Sequence, residues 1–272
     1  MEWDELHEEE AERPRDPMVD KAKDALRHLF RERPTGVFYQ QQLAVWFEDV
    51  FFHWITVSAL RELAAEGRLI RDEVAMPAGT YPLRMYRVPS HRNWKRQATR
   101  LVEMVAHYSS SDFARAVGRQ GETMFDAAFP RFGFMPKGRD IREWQGRRWD
   151  RTEHDLDRVV EADGRAYGIE IKNTLKYIPR SELLIKIDMC RTLGLIPLFV
   201  MRHAAKAYNF EIIRAGGFSL LFKDQLYPFG NEALAERVRR ELELPVHCPA
   251  AVPDGVIQRF LTWHEKQVGR QK

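Results

Sequence analysis

The dipeptide Asp163-Gly164 constrains this chain more than any other feature. It sits between two runs of strand-forming residues, 155–162 and 165–172. Asp-Gly is a preferred two-residue hairpin turn because both central positions tolerate positive φ. The segment is therefore expected to be a β-hairpin. Its register follows from the turn, with Ala162 opposite Arg165 and Glu161 opposite Ala166. Further out, Asp157 falls opposite Glu170 and Asp155 opposite Lys172. Side chains alternate between faces along a strand. Asp155, Asp157, Glu170 and Lys172 then share one face, and Leu156, Val160, Ile169 and Ile171 share the other, on the core side. Arg158 also falls on the core side, where the sequence gives no account of it. A β-bulge would break this register.

Two like charges directly opposite each other destabilise a strand pair. A divalent cation held between the carboxylates of Asp157 and Glu170 would compensate, and hard oxygen ligands suit Mg²⁺ or Mn²⁺. Lys172, two residues on from Glu170, would stand beside the cation. It could orient an attacking water or stabilise charge on a phosphate. The plainer alternative is an exposed hairpin carrying an Asp155–Lys172 ion pair of little worth.

Three stretches around these residues resemble the PD-(D/E)XK nuclease superfamily, in its Mrr-like and archaeal Holliday-junction-resolvase branches. The first is Gly118-Arg119-Gln120-Gly121-Glu122, followed by Met124, Phe125, Ala128, Phe129 and Phe132-Gly133-Phe134. The second is the hairpin, with Asp157 at the family aspartate and Glu170 and Lys172 at the E-x-K positions. The third is an amphipathic helix over 181–193, closed by Gly194 and followed by a nearly all-apolar strand over 195–201. The resemblance spans about residues 115–202, and Leu156 replaces the proline of the nominal motif. It implies an α-β-β-β-α-β core. Asp157, Glu170 and the backbone carbonyl of Ile171 would bind the metal, with Glu122 supporting it and Lys172 as catalytic lysine. On its residues alone, Glu122 reads as a solvated position on the flank of the apolar stripe Val117, Gly121, Met124, Phe125, Ala128 and Phe129.

The segment leading to Asp155 carries Lys137, Arg139, Arg142, Arg147, Arg148 and Arg151, interleaved with Trp144 and Trp149. Basic side chains neutralise phosphates and aromatic ones stack on bases. The segment is expected to contact DNA. The alternative is a basic loop whose tryptophans pack on the domain. His154 and His203 carry no expected role.

Upstream, apolar spacing predicts helices over 19–33, 40–47 and 56–66, then strands over 69–71 and 84–88 joined by a turn at Pro77-Ala78-Gly79. Three helices and a two-stranded hairpin over 18–90 resemble a winged helix. Its third helix would enter the major groove, presenting Arg61 and Arg68, with His53 and Trp54 at its start. The alternative use of such a unit is protein contact. A connecting helix is expected within 91–111, the nuclease-like domain over 112–230, and a helical extension over 231–272, with helices at 234–244 and 256–268.

The formal net charge of +3 conceals segregation. Glu2, Asp4, Glu5, Glu8, Glu9, Glu10 and Glu12 make 1–17 an acidic leader, expected to be disordered. What remains is basic and suits a polyanionic partner. No apolar run approaches the roughly 20 residues of a membrane span. Cys190 and Cys248 are too few for a disulfide framework or zinc cluster. A cytoplasmic protein is expected. The sequence as a whole predicts an α/β chain, a restriction-endonuclease-like mixed sheet flanked by helices behind a winged helix. Its expected function is metal-dependent DNA endonuclease, using Mg²⁺ or Mn²⁺ and acting as a homodimer. The alternative is a non-catalytic DNA-binding protein on the same scaffold; a metal-free RNA nuclease would need a histidine cluster that is not seen.

Overall fold

The structure, a computed structural model, describes residues 15–76 and 82–269. Most of the acidic leader and the turn at Pro77-Ala78-Gly79 lie outside the described residues. The chain divides into two compact units, one of residues 1–113 with 240–244, the other of 114–239 with 245–272.

In the first unit, α1 (Met18–Glu32) buries Val19, Ala22, Leu26 and Phe30, one stripe at helical spacing. The strand β1 (Phe38–Tyr39) runs directly into α2 (Gln40–Trp46), and α3 (His53–Ala65) follows. The strands β2 (Ile70–Val74) and β3 (Leu83–Arg87) complete an antiparallel sheet of order β1-β3-β2. Sequence spacing does not reveal β1, because two residues are too few to show a period. The helix expected to start at Thr56 starts at His53, and His53 turns inward, buried against the Glu48 carboxylate at 3.3 Å. The helix α4 (Lys95–Tyr108) also belongs to this unit.

The second unit is built on a five-stranded mixed sheet among the described residues, flanked by helices. The helix α5 (Ser111–Ala128) leads through a short 3₁₀ turn to β4 (Met135–Ile141). The small strands β5 (Glu143–Trp144) and β6 (Arg147–Arg148) form a separate ribbon. Then come β7 (Leu156–Ala162), β8 (Arg165–Lys172), α6 (Arg180–Leu193) and β9 (Ile196–Met201). The helix α7 (Lys206–Arg214) and β10 (Phe218–Leu221) follow. The sheet order is β10-β9-β8-β7-β4. The pairs β4–β7 and β7–β8 are antiparallel, and β8–β9 and β9–β10 parallel. A parallel step needs a long crossover, which α6 supplies between β8 and β9. No helix among the described residues is long and apolar enough to cross a membrane.

The interior strand β9 is apolar because both its faces are covered. Leu198 and Val200 pack with Met124, Phe125 and Ile169; Phe199 and Met201 pack with Leu183 and Ile187 of α6. The last part of the chain comprises β11 (Gln225–Leu226), α8 (Glu232–Leu242), β12 (Val246–His247) and α9 (Asp254–Gly269). It is not an appendage. Val256, Ile257 and Phe260 of α9 enter the main core beside Phe129, Phe134 and Tyr167.

Gly121 lets α5 approach the chain beyond β8. A Cβ there would stand 2.7 Å from the Cβ of Asn173. Asn173 cannot yield, because its buried amide donates to the carbonyls of Val117 and Leu226 and accepts from the Leu226 N–H, each at 2.7 Å. Gly121→Ala should therefore destabilise the protein by about 1–3 kcal/mol, overpacking outweighing the gain in helix propensity. Urea unfolding checks this, with the midpoint falling at unchanged slope; an unchanged midpoint would mean the helix is not held this close.

Candidate functional site

The hairpin forms with the expected turn. Asp163 and Gly164 both adopt positive φ, 49° and 72°. Ala162 pairs with Arg165, Glu161 with Ala166, and the ladder runs to Arg158 opposite Ile169. The ladder stops there, and one step further Asp157 lies close enough to Glu170 to feel its charge. Beyond that point β7 pairs with β4 alone, as in Ile141 opposite Leu156. One expectation fails in this stretch, and so does the ion pair of the plainer alternative. Leu156 packs with Val159, Cys190 and Leu193 on the α6 side of the sheet, not with Val160 on the other. Lys172 pairs with Glu170 and Glu182, each at 2.8 Å, rather than with Asp155.

Asp157, Glu170 and Lys172 thus come together under α6. Glu170 is 1% exposed. One oxygen lies 2.8 Å from the Lys172 ammonium and the other 2.6 Å from that of Lys186. Both Glu170 oxygens are sealed from solvent, and each faces one ammonium. Lys186 is itself buried and also donates to the Asp155 carbonyl at the start of β7. Asp157 accepts a 2.6 Å hydrogen bond from the Ile171 amide. The Ile171 amide is a different atom from the carbonyl expected as a ligand, and it ties Asp157 to β8.

Burial and the charge of Glu170 push the Asp157 carboxyl up to about 7, against the Ile171 amide and the two lysines. Burial works against the Lys172 charge, but Glu170 and Glu182 outweigh it and raise its pKa. Lys172 is therefore a fixed cation. Such a group can orient a water or stabilise an anion but cannot serve as a base.

Glu122 lies elsewhere. Its carboxylate takes a 2.8 Å bond from Arg158, whose guanidinium also meets Asp126 at 2.8 Å. This explains the arginine on the core face: it is buried beneath α5 between two acids. Glu122 neutralises Arg158 and is not brought to the Asp157–Glu170 pair. Among the described residues no three His, Cys, Asp or Glu side chains converge on one point. The remaining donor set is two carboxylates. It fits a hard divalent cation in kind. Burial and the charge of Glu170 together hold the Asp157 carboxyl close to neutrality, and the Glu170 oxygens are closed to solvent.

The basic segment is more committed than the sequence suggests. Lys137 and Arg139 lie on β4 itself, paired with Glu161 and Asp126. Arg142 pairs with Glu153, and Arg151 with Asp188. Trp149 is buried and Trp144, half-buried, packs against the same cluster, so both rings contribute to the packing of the domain. Arg147 and Arg148 are exposed on the β5–β6 ribbon, with no ion pair among the described residues. In the first unit Arg61 is half-buried and Arg68 exposed, and α3 has no fully exposed residue before Ala65.

Sequence reasoning missed Glu182 and Lys186. The signal for Lys186 was its position in the stripe Leu183, Lys186, Ile187 and Cys190, at helical spacing on the buried face. A lysine there needs an acid, and Glu170 is that acid. Comparison of the chain with models of known families, with curated proteins and with solved structures gives no match.

Two outcomes follow from this electrostatic arrangement. Removing one partner of a buried pair strands the other charge. Lys186→Met should cost about 3–5 kcal/mol in chemical unfolding, and adding Glu170→Gln should restore part of it; additive losses would disprove the pairing. The second concerns pH. An unfolded aspartate titrates near 3.9, below the folded value of about 7. The folded state therefore holds this proton more tightly, and its contribution to stability is lost as pH rises from about 4 to 7. In EDTA at pH 8, Asp157→Asn should be more stable than the natural protein by about 1–3 kcal/mol, water screening the rest. The difference should vanish near pH 4.

Proposed function

We propose that the chain is a metal-dependent endonuclease that hydrolyses DNA phosphodiester bonds. The observation that supports this most is the close pair of carboxylates, half-buried Asp157 and buried Glu170, with the Lys172 ammonium on the same side. The α-β-β-β-α-β order of α5, β4, β7, β8, α6 and β9 is consistent with a PD-(D/E)XK nuclease core. Mg²⁺ or Mn²⁺ held by Asp157 and Glu170 would supply Lewis-acid polarisation of the phosphate and a more acidic bound water.

The chain's own residues would do the rest. Lys172 holds its proton on Nζ and stabilises the negative charge that grows on the phosphoryl oxygens. Glu182 fixes that ammonium from the other side, at 2.8 Å. Lys186 balances Glu170, so that Lys172 is not its sole counter-ion. Arg147 and Arg148, exposed on their ribbon, are suited to neighbouring phosphates. Within the first unit, α1, α2 and α3 on a small antiparallel sheet are compatible with a winged helix that adds DNA affinity. With so little of α3 exposed, Arg68 is its best-placed contact.

One observation favours the non-catalytic alternative, a DNA-binding protein on this scaffold. Glu122 is spent on Arg158, which leaves two carboxylates where the resemblance implies three. Plasmid nicking separates the readings. Cleavage in Mg²⁺ or Mn²⁺, absent in EDTA and reduced at least about 100-fold by Lys172→Ala, is the expected result. Glu122→Gln should lower stability and leave most of the cleavage rate, because its carboxylate serves Arg158. DNA binding without cleavage in either metal would replace the endonuclease reading with the scaffold.

A further inference from the structure

The carboxyl ends of β8 and β9 lie side by side, with Lys172 opposite Met201. Past Lys172 the chain makes a loop over 173–179 and returns in α6, where Glu182 meets the Lys172 ammonium. That loop is thus tied to the candidate site at both ends. Past Met201, residues 202–205 lead into α7. Three rings gather between these two connections. Tyr177 stacks on His203, with centroids 5.6 Å apart and planes inclined by 19°. Tyr208 of α7 closes the group, 6.2 Å from Tyr177. All three are half-buried, and Lys176, Arg180 and Lys206 beside them are exposed, with Arg180 paired to Glu211 at 3.6 Å.

The backbone beneath the rings is held firmly. Asn173 makes its three buried hydrogen bonds at the start of the loop. Arg202, 2% exposed, donates to the carbonyls of Thr174 and Leu175 at 3.1 and 3.4 Å. A buried guanidinium therefore braces one connection against the other. A preordered aromatic surface loses little entropy when a flat ligand lands on it.

We propose that this shelf of Tyr177, His203 and Tyr208 stacks an unpaired base of the strand whose backbone passes Lys172. The preferred substrate is then single-stranded or locally unpaired DNA. The inference rests on the endonuclease reading given above and narrows its substrate. Bases inside a duplex have both faces covered by their neighbours and must leave the stack to meet a side chain. An unpaired base needs no such expense, and aromatic rings accept any base because each has a π face. The surrounding cations meet the phosphates on either side.

The test uses the full chain in EDTA and a short single-stranded oligonucleotide carrying one 2-aminopurine, with its duplex form for comparison. The natural protein should bind the single strand more tightly than the duplex and quench the probe by stacking. Tyr177→Ala should weaken binding about 5- to 100-fold and abolish the quench, while Tyr177→Phe keeps both. Should Tyr177→Ala fail to fold, Tyr177→Leu fills the space without a ring and must give the same loss. Equal binding and quenching in the ringless variants, or a duplex bound as tightly as the single strand, would overturn the inference. If Lys172-dependent plasmid cleavage persists in that case, only the substrate assignment falls. If neither form is bound or cut, the endonuclease reading falls with it.

Discussion

The charge on Glu170 is what the second unit is organised around. A carboxylate that is 1% exposed carries a desolvation cost of several kcal/mol unless opposite charge stands close by. The fold answers with two ammoniums from two different elements, Lys172 on β8 itself and Lys186 on α6. Each answer fixes something else. Lys186 can reach Glu170 only if α6 lies across the hairpin, and its second contact, to the Asp155 carbonyl, fastens the start of β7. Lys172 draws Glu182 in behind it. Helix, hairpin and loop are thereby positioned around one buried charge.

The opposite face of the hairpin repeats this logic with signs reversed. Arg158 is the buried charge there, and Glu122 and Asp126 on α5 are its counter-ions. Successive residues 157 and 158 therefore point to two separate charge clusters, one under each helix. This division decides what Glu122 can do. A carboxylate already neutralising a buried guanidinium on one side of a sheet is not a spare ligand for a cation on the other. Releasing it would leave Arg158 with half its compensation in a place water reaches poorly.

Local chemistry was legible in the sequence and long-range pairing was not. The turn at Asp163-Gly164 fixes the hairpin register from within eighteen residues, so the closeness of Asp157 to Glu170 could be worked out beforehand. The apolar strand at Ile196–Met201 and the glycine after α6 were equally plain. Arg158 stayed unexplained because its partners lie 32 and 36 positions away on a separate helix. Lys186 was missed for a different reason. Lysines in an amphipathic helix are ordinarily assigned to its outer face, and only the three-dimensional position of Glu170 shows why this one points in. The helix α7 escaped because its apolar residues do not form one stripe: Ile212 is buried while Phe210 and Ile213 are exposed. Periodicity reports a helix only when one side is wetted and the other is not. Composition alone does not show how far the basic segment is committed within its own domain. Charges were counted as surface available to DNA, whereas most of them meet acids in the same domain.

The sum of charges under α6 bears on which ligand the site can take first. Asp157, Glu170 and Glu182 face Lys172 and Lys186, three acids against two bases. The excess is at most one negative charge, and Asp157, pushed up to about 7, titrates in the neutral range as that excess is relieved by a proton. A phosphodiester is an anion and gains nothing from the two carboxylates themselves; without a cation, its hold on the chain comes from the rings and basic side chains around the site. A divalent cation would turn the balance to a positive one, complementary to phosphate, and would displace the proton that the crowding of Asp157 and Glu170 now retains. Cation and proton thus compete for the same deficit, and the phosphate's affinity for the site follows from which of them holds it.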